Sequence, residues 1–300
     1  MDKPCMEEKI KIENDFLSVI ISRRGATLDS VFFKPAAREL LWQGDKESWT
    51  GKDLVIFPFV ARLMDGWYLH RGVKYQMPIH GLAPYLDFGT AEKSDSALTL
   101  RLRFSEKTLK CYPFRFEFTV YYRLIKNSLI TSYEVRNLDE EEMYFYLGGH
   151  PGYALDYMEN DETDDTSANS VIFEKAQNLC RYTADESGYF ITGEDRWRTA
   201  DELFLSKSLF ANDAIILKDL KGGLTIRRPS GIDISFDLNN PPVLALWSHK
   251  RRGGYVCVEP WWGLPDENPP KRELKTKLLI NRLPPLGVFN YEFATKYEMR

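Results

Sequence analysis

Strict two-residue alternation constrains this chain more than any other feature. In "FRFEFTVYYRL", Phe114, Phe116, Phe118, Val120, Tyr122 and Leu124 fall on one side, with Arg115, Glu117, Thr119 and Arg123 on the other. "LTLRLRFSE" sets Leu98, Leu100, Leu102 and Phe104 against Thr99, Arg101 and Arg103. A period of two places one set on one face of a pleated strand, whereas on a helix the same set would scatter around the axis. "SLITSYEVRN" follows a Lys126-Asn127-Ser128 turn, and "AIILKDL", "GLTIRRP" and "GIDISFDL" are separated by "KGG" and "PSG". Strands joined by such turns predict an all-β fold, a large antiparallel β-sandwich or a barrel. Helices are expected to be few and short, in "KPAARELLW" and "ADELFLSKSLF". No segment reads as a linker, so residues 1–300 are expected to form a single domain.

Bulk properties narrow the function classes. Hydrophobic residues at 43% and charged residues at 28% are ordinary for a soluble globular chain, while aromatics at 14% are high. Sheet-rich proteins and carbohydrate-facing clefts share that aromatic excess. A net charge of −4 and the short basic stretch "SHKRRGGY" give no footprint for nucleic acid. No apolar run approaches the roughly 20 residues that span a bilayer. "MDKPCMEEKIKI" lacks the apolar core of a secretory signal, and Cys5, Cys111, Cys180 and Cys257 show no CxxC pair. A cytoplasmic protein with reduced thiols is expected. The acidic segment 156–165 lacks the glycine and distal glutamate of an EF-hand loop and reads as a surface loop.

Chemistry has to be sought among few residues, since the chain holds only four histidines. His150 stands in "GGHPG". Gly148 and Gly149 allow φ > 0 or a close approach, and Pro151 pushes His150 toward an extended backbone. That frame suggests an aimed side chain. His80, in "MPIHGLAP", is as consistent with a satisfied histidine at a strand end as with a functional one. His70 and His249 read as exposed turn residues. Glu259, in "YVCVEPWWG", shares a strand face with Tyr255 and Cys257, and Pro260 is expected to end that strand. A carboxylate beside Trp261 and Trp262 would be partly desolvated, which raises its pKa and suits it to acid–base work. Arg62 closes an apolar run and needs an anion, an acceptor or water. Asp213, in "FANDAII", has the simpler reading of a turn cap. Two histidines and a glutamate also admit a metal site, although HxH and HExxH spacings are absent. Glu259 with Asp213 admits a glycosidase pair.

Taken in order, these segments resemble a known family. "FPFVARLMDGWYLHRGVKYQMPIHGLAPYLDF" resembles the stretch of aldose 1-epimerases that carries an arginine and the first catalytic histidine. "GGHPGYAL" resembles their second-histidine motif, "VCVEPWWGLPDE" their catalytic-base strand end, and "LFANDAIIL" the place of a substrate-binding aspartate. The resemblance spans nearly the whole chain and is closest to a bacterial LacX-like branch of galactose mutarotase-like proteins. It implies their large antiparallel sandwich and a mutarotase acting on a hexose. Glu259 would take the anomeric hydroxyl proton, His150 would protonate the ring oxygen, and His80 would stabilise developing charge. Arg62 and Asp213 would position hydroxyls. Trp67, Tyr153, Trp261 or Trp262 would cover an apolar sugar face. The glycines of "GGHPG" would give the sugar room. The resemblance implies no metal or organic cofactor, and a small-molecule sugar as partner rather than nucleic acid or membrane, in a monomer or homodimer.

Two departures bear on the substrate. Relatives often read "HGFAR" where this chain has "HGLAP", so Pro84 stands in place of an arginine. That weighs against a hexose-6-phosphate 1-epimerase. Phe57 to Ala61 offer no asparagine of the kind that often precedes the arginine in galactose mutarotases. A carbohydrate-binding or sensing protein on the same scaffold and a glycoside-processing enzyme are the other readings.

Overall fold

In the computed structural model, residues 8–156, 166–184, 189–249 and 253–300 are described. The alternating segments form the expected strands, and most pairs are antiparallel. Phe116–Ile125 and Ser128–Asn137 pair over their full length around the Lys126-Asn127 turn, and Ala97–Arg103 flanks the first of them. Thirteen strands follow one path through a 16-stranded sheet that runs from Val55–Ile56 to Gly89–Lys93. A four-stranded sheet opens the chain, from Lys9–Glu13 to Arg38–Glu39.

The long sheet folds over on itself to close a core. Phe57, at one end of the path, stacks on Phe118, near the other end, with ring centroids 4.8 Å apart. Tyr153 meets Phe236 edge-on, and the Tyr122 hydroxyl donates to the Ala26 carbonyl of the opening sheet. The inward positions of the period-two pattern fill this core. Phe116, Phe118, Val120 and Tyr122 are all essentially buried. The fold is therefore the expected all-β sandwich.

The two expected helices do not form as helices. "KPAARELLW" becomes a single 3-10 turn, Lys34–Ala36, followed by strand Arg38–Glu39. The first half of "ADELFLSKSLF" extends the strand Phe190–Phe204, and only Lys207–Phe210 turns, as 3-10. Sheet pairing outweighs the modest helix propensity of both segments. Among the described residues the α-helix is the single turn Glu106–Leu109, and no helix is long and apolar enough to cross a membrane. Cys111, Cys180 and Cys257 are free thiols. Apart from Asp156, the acidic segment 156–165 lies outside the described residues. Asp156 itself pairs with Arg38 and accepts from the Ser230 amide.

Asp53 ties the two sheets together. Its carboxyl accepts the Leu28 amide at 2.8 Å, and the next residue, Leu54, accepts the His150 amide at 2.8 Å. Burial pushes the Asp53 carboxyl up to about 7 against the pull of the backbone amides. Its proton is thus held more tightly in the folded chain than in the unfolded one. Stability is full below the ordinary carboxylate value and declines as pH rises toward 7, because only the unfolded chain ionises freely there. Asp53→Asn keeps an acceptor for Leu28. It is expected to flatten the fall in Tm between pH 4 and 7 and to raise Tm by a few degrees above pH 7. Calorimetric melts across that range would show it, and parallel curves for the two proteins would contradict it.

Candidate active site

One strand and an interruption beside it build the site. Tyr255–Trp262 pairs along one edge with Val243–Trp247, Glu259 standing opposite Ala245. On its other edge it pairs twice. Leu147–Gly149 covers Trp261 and Trp262, and Gly152–Ala154 covers Tyr255 to Cys257. Between those two short strands lie His150 and Pro151. The Val258 amide donates to the Pro151 carbonyl, so the amide position of Pro260 points toward the same gap. A proline costs no ladder bond where no partner strand runs. Pro260 therefore does not end the strand, which continues through Trp262.

The two glycines before His150 in "GGHPG" serve packing, not sugar access. A Cβ on Gly148 would lie 2.8 Å from the Trp261 ring, and one on Gly149 would lie 2.9 Å from the Tyr133 hydroxyl. Neither residue has a positive φ. With the His150 amide bonded to Leu54, the imidazole is held between the two halves of the interrupted ladder.

His80 is delivered by a strained turn. Its φ is +61°, uncommon for a residue with a Cβ. Its amide donates to the carbonyl of Ala61, itself at φ +49°, and the amides of Leu82 and Ala83 both donate to the Phe57 carbonyl. Gly81 bridges Phe57, at φ +81°, and a Cβ there would lie 2.3 Å from the Phe57 carbonyl oxygen. The turn that carries His80 is thereby locked to the segment that carries Arg62. Asp266 fixes that segment from the other side. Its amide donates to the Arg62 carbonyl, and its carboxylate accepts the Met64 amide at 3.0 Å. Lys277 neutralises Asp266 through a buried ion pair at 2.5 Å.

The result is a cavity of about 360 Å³, lined by Arg62, His80, His150, Asp213, Glu259 and Trp261, among others. The His150 Nε2 atom lies 3.3 Å from Glu259 Oε2, and the His80 and His150 rings meet edge-on at 5.2 Å. Glu259 is only 1% exposed. Burial pushes its carboxyl well above the usual range; the nearby Trp261 indole opposes this and Asp213 adds to it. The indole makes no well-aligned hydrogen bond, so burial prevails. Burial, then the neighbouring His80, holds His150 well below the ordinary histidine value. Burial and Arg62 push His80 down to about 4. Neutral forms are thus favoured throughout, and one proton transfer across 3.3 Å converts the neutral Glu259–His150 pair into an ion pair. Arg62 has no ion pair or side-chain hydrogen bond among the described residues, leaving its guanidinium for a ligand. Asp213 sits at φ +72° and accepts the Trp247 indole N–H at 2.7 Å.

Three residues expected to face a sugar lie elsewhere. Trp67 is in the hairpin Trp67–His70, where Arg272 stacks on its ring at 3.9 Å and Lys74 lies 4.4 Å away. Tyr153 is buried between the sheets near Phe236 and Thr295. Period-two alternation turns it away from the cavity that His150 enters. Trp262 likewise packs on Phe289 and Tyr291, opposite in sense to Trp261. His70 is half-buried against Phe114 instead of lying free in a turn, and His249 is also half-buried. The lining also includes residues that sequence reasoning missed. Trp49 lies 5.0 Å from the His150 ring and Trp247 lies 5.7 Å from it. Ile79 and Tyr85 are exposed apolar residues of the same lining. Trp49, a large aromatic in the polar run "KESWTGKD", and Trp247, at the end of the apolar strand Val243–Trp247, carried what signal there was.

Comparison with known proteins covers nearly all of the chain. A family model described as aldose 1-epimerase matches residues 8–261. Protein LacX (plasmid) of Lactococcus lactis subsp. lactis is 28% identical over 290 residues, 92% of this chain and 95% of that protein. The structure of a galactose mutarotase related enzyme from Lactobacillus acidophilus superposes with a TM-score of 0.88 at 29% identity, covering 97% of each chain. A galactose mutarotase-like protein from Lactobacillus casei gives 0.91 at 26% identity, covering 97% of this chain and 100% of that one.

Two substitutions test the frame. Gly81→Ala must move the Phe57 backbone or abandon φ +81°, and is expected to destabilise the fold by about 2 kcal/mol or more. Lys277→Met strands the Asp266 carboxylate without its partner and is expected to cost about 3–5 kcal/mol. Denaturant unfolding of each variant reads both, and losses below about 0.5 kcal/mol would contradict the assigned roles.

Proposed function

The chain belongs to the aldose 1-epimerase family, and we propose that it interconverts the α and β anomers of a hexose by general acid–base opening of the ring. The observation that carries this reading is the convergence of His80, His150 and Glu259 on one cavity, with the His150 and Glu259 heteroatoms 3.3 Å apart. Opening a cyclic hemiacetal removes a proton from the anomeric hydroxyl while the ring oxygen gains one. Those oxygens share the anomeric carbon, so the base and the acid must also be neighbours. Glu259 takes the hydroxyl proton, and His150, as imidazolium, gives one to the ring oxygen. The open-chain aldehyde turns about its C1–C2 bond, and closure runs the same transfers in reverse.

The other residues position the sugar. His80 is held neutral beside His150, so it hydrogen-bonds the anomeric region without adding a competing charge. Arg62 and Asp213 hold hydroxyls, with Asp213 kept in place by Trp247. Trp261, Trp49 and Trp247 offer ring surface to C–H faces of the sugar. Arg62 is the one cation of the described lining, and Pro84 adds none. A neutral hexose therefore fits this lining better than a phosphosugar, whose dianion calls for more than one positive group.

The test is polarimetric. Freshly dissolved α-glucose and α-galactose are followed to equilibrium with wild-type protein and with Glu259→Gln. At least one sugar is expected to equilibrate faster with wild type, and Glu259→Gln to lose about 10²- to 10⁴-fold of that acceleration. No acceleration of either sugar, or full activity in Glu259→Gln, would overturn the reading.

A further inference from the structure

A second constellation shares two residues with the cavity lining. Cys257 stands two residues before Glu259 on the strand Tyr255–Trp262, so both side chains leave the same face. Ligand atoms of His150, Cys257 and Glu259 all lie within 4.8 Å of one another, and all three residues are buried. Glu259 Oε2 is buried without a hydrogen-bond partner. A native structure rarely leaves such atoms unsatisfied without a reason.

The spacing suits a tetrahedral metal ion. Zinc bonded at about 2.0–2.1 Å to a nitrogen and an oxygen holds those atoms about 3.3–3.4 Å apart. His150 Nε2 and Glu259 Oε2 are 3.3 Å apart. A zinc–thiolate bond of about 2.3 Å sets sulfur about 3.6 Å from the other two donors, so atoms now within 4.8 Å of one another close by about 1.2 Å at most. One nitrogen, one carboxylate oxygen and one sulfur form a donor set for zinc, not for magnesium or calcium, which take oxygen ligands. His150 and Glu259 both line the cavity, so the fourth position opens into it.

We infer that His150, Cys257 and Glu259 form a zinc site, and that zinc bound there blocks sugar turnover. Cys257 binds as thiolate and Glu259 as carboxylate, both protons leaving to solvent. The ion then occupies Nε2 and Oε2, the two atoms through which ring opening moves protons. The inhibitory part rests on the mutarotase reading; the metal-binding part does not.

Cobalt(II) serves as the optical probe. The full chain, freed of metal with a chelator, is titrated with cobalt and then with zinc. The expected result is a thiolate-to-cobalt charge-transfer band in the near ultraviolet that saturates at one equivalent and is bleached by zinc. The band is expected to vanish in Cys257→Ser while Cys111 and Cys180 remain. Polarimetry with added zinc is expected to show inhibition of wild type, weakened at least about tenfold in Cys257→Ser, each protein compared with its own chelator-treated rate. Thermal unfolding of Cys257→Ser and Cys257→Ala identifies whichever variant is folded for the comparison. Absence of the band, equal zinc inhibition with and without the thiol, or faster turnover with zinc would overturn the inference. If neither sugar is turned over, the cobalt spectrum alone still decides whether the site exists.

Discussion

The interrupted ladder beside Tyr255–Trp262 is the constraint from which the site follows. A continuous neighbour strand would satisfy the backbone there and cover Glu259. Instead the neighbour breaks into Leu147–Gly149 and Gly152–Ala154, and His150 fills the break. The missing amide of Pro260 faces that gap, so the interruption leaves no orphaned donor at Pro260. The ladder on the other edge, with Val243–Trp247, stays intact and holds Glu259 in register. The Glu259–His150 pair is thus mounted on the rigid part of the fold, where small displacements are costly.

Around this pair the structure spends stability to hold chemistry. Three ionisable groups are buried together, and all three are displaced toward their neutral forms. Two neighbouring residues, Ala61 and His80, sit in left-handed backbone and bond to each other. Such strain persists only where surrounding contacts over-determine it. Here those contacts are the Phe57–Gly81 bridge and the Asp266–Lys277 pair. The frame also explains why a cavity with several unsatisfied buried atoms does not collapse. Its walls are aromatic rings fixed from behind, Trp49 against Tyr255 and Trp247 against Asp213.

Particular residues show how far sequence reading carries. The backbone punctuation around His80 and His150 was visible as Gly81 and as Gly-Gly before His-Pro, and both histidines do enter the cavity. Its meaning was only half legible. Gly148 and Gly149 looked like room for a ligand, yet they admit Trp261 and Tyr133. Trp67 and Tyr153 lie close in sequence to Arg62 and His150 but do not line the cavity: Arg272 and Lys74 cover the Trp67 ring, and Tyr153 packs on Phe236. Trp49 and Trp247 lie outside the motifs that carry the two histidines and the glutamate, and their signal, a large aromatic, did not say what they would face. Their placement depends on where the folded-over sheet brings its ends together.

The sequence by itself determined the class of fold. Alternation with period two admits only strands, and the turn residues between them admit only a mostly antiparallel sheet. It also determined which side chains share a face, because that parity is local. Tertiary structure alone decided that His150 and Glu259, 109 positions apart in the chain, would stand 3.3 Å from each other. Parity fixes which face a side chain leaves; only the register between non-adjacent strands fixes which other side chain it meets.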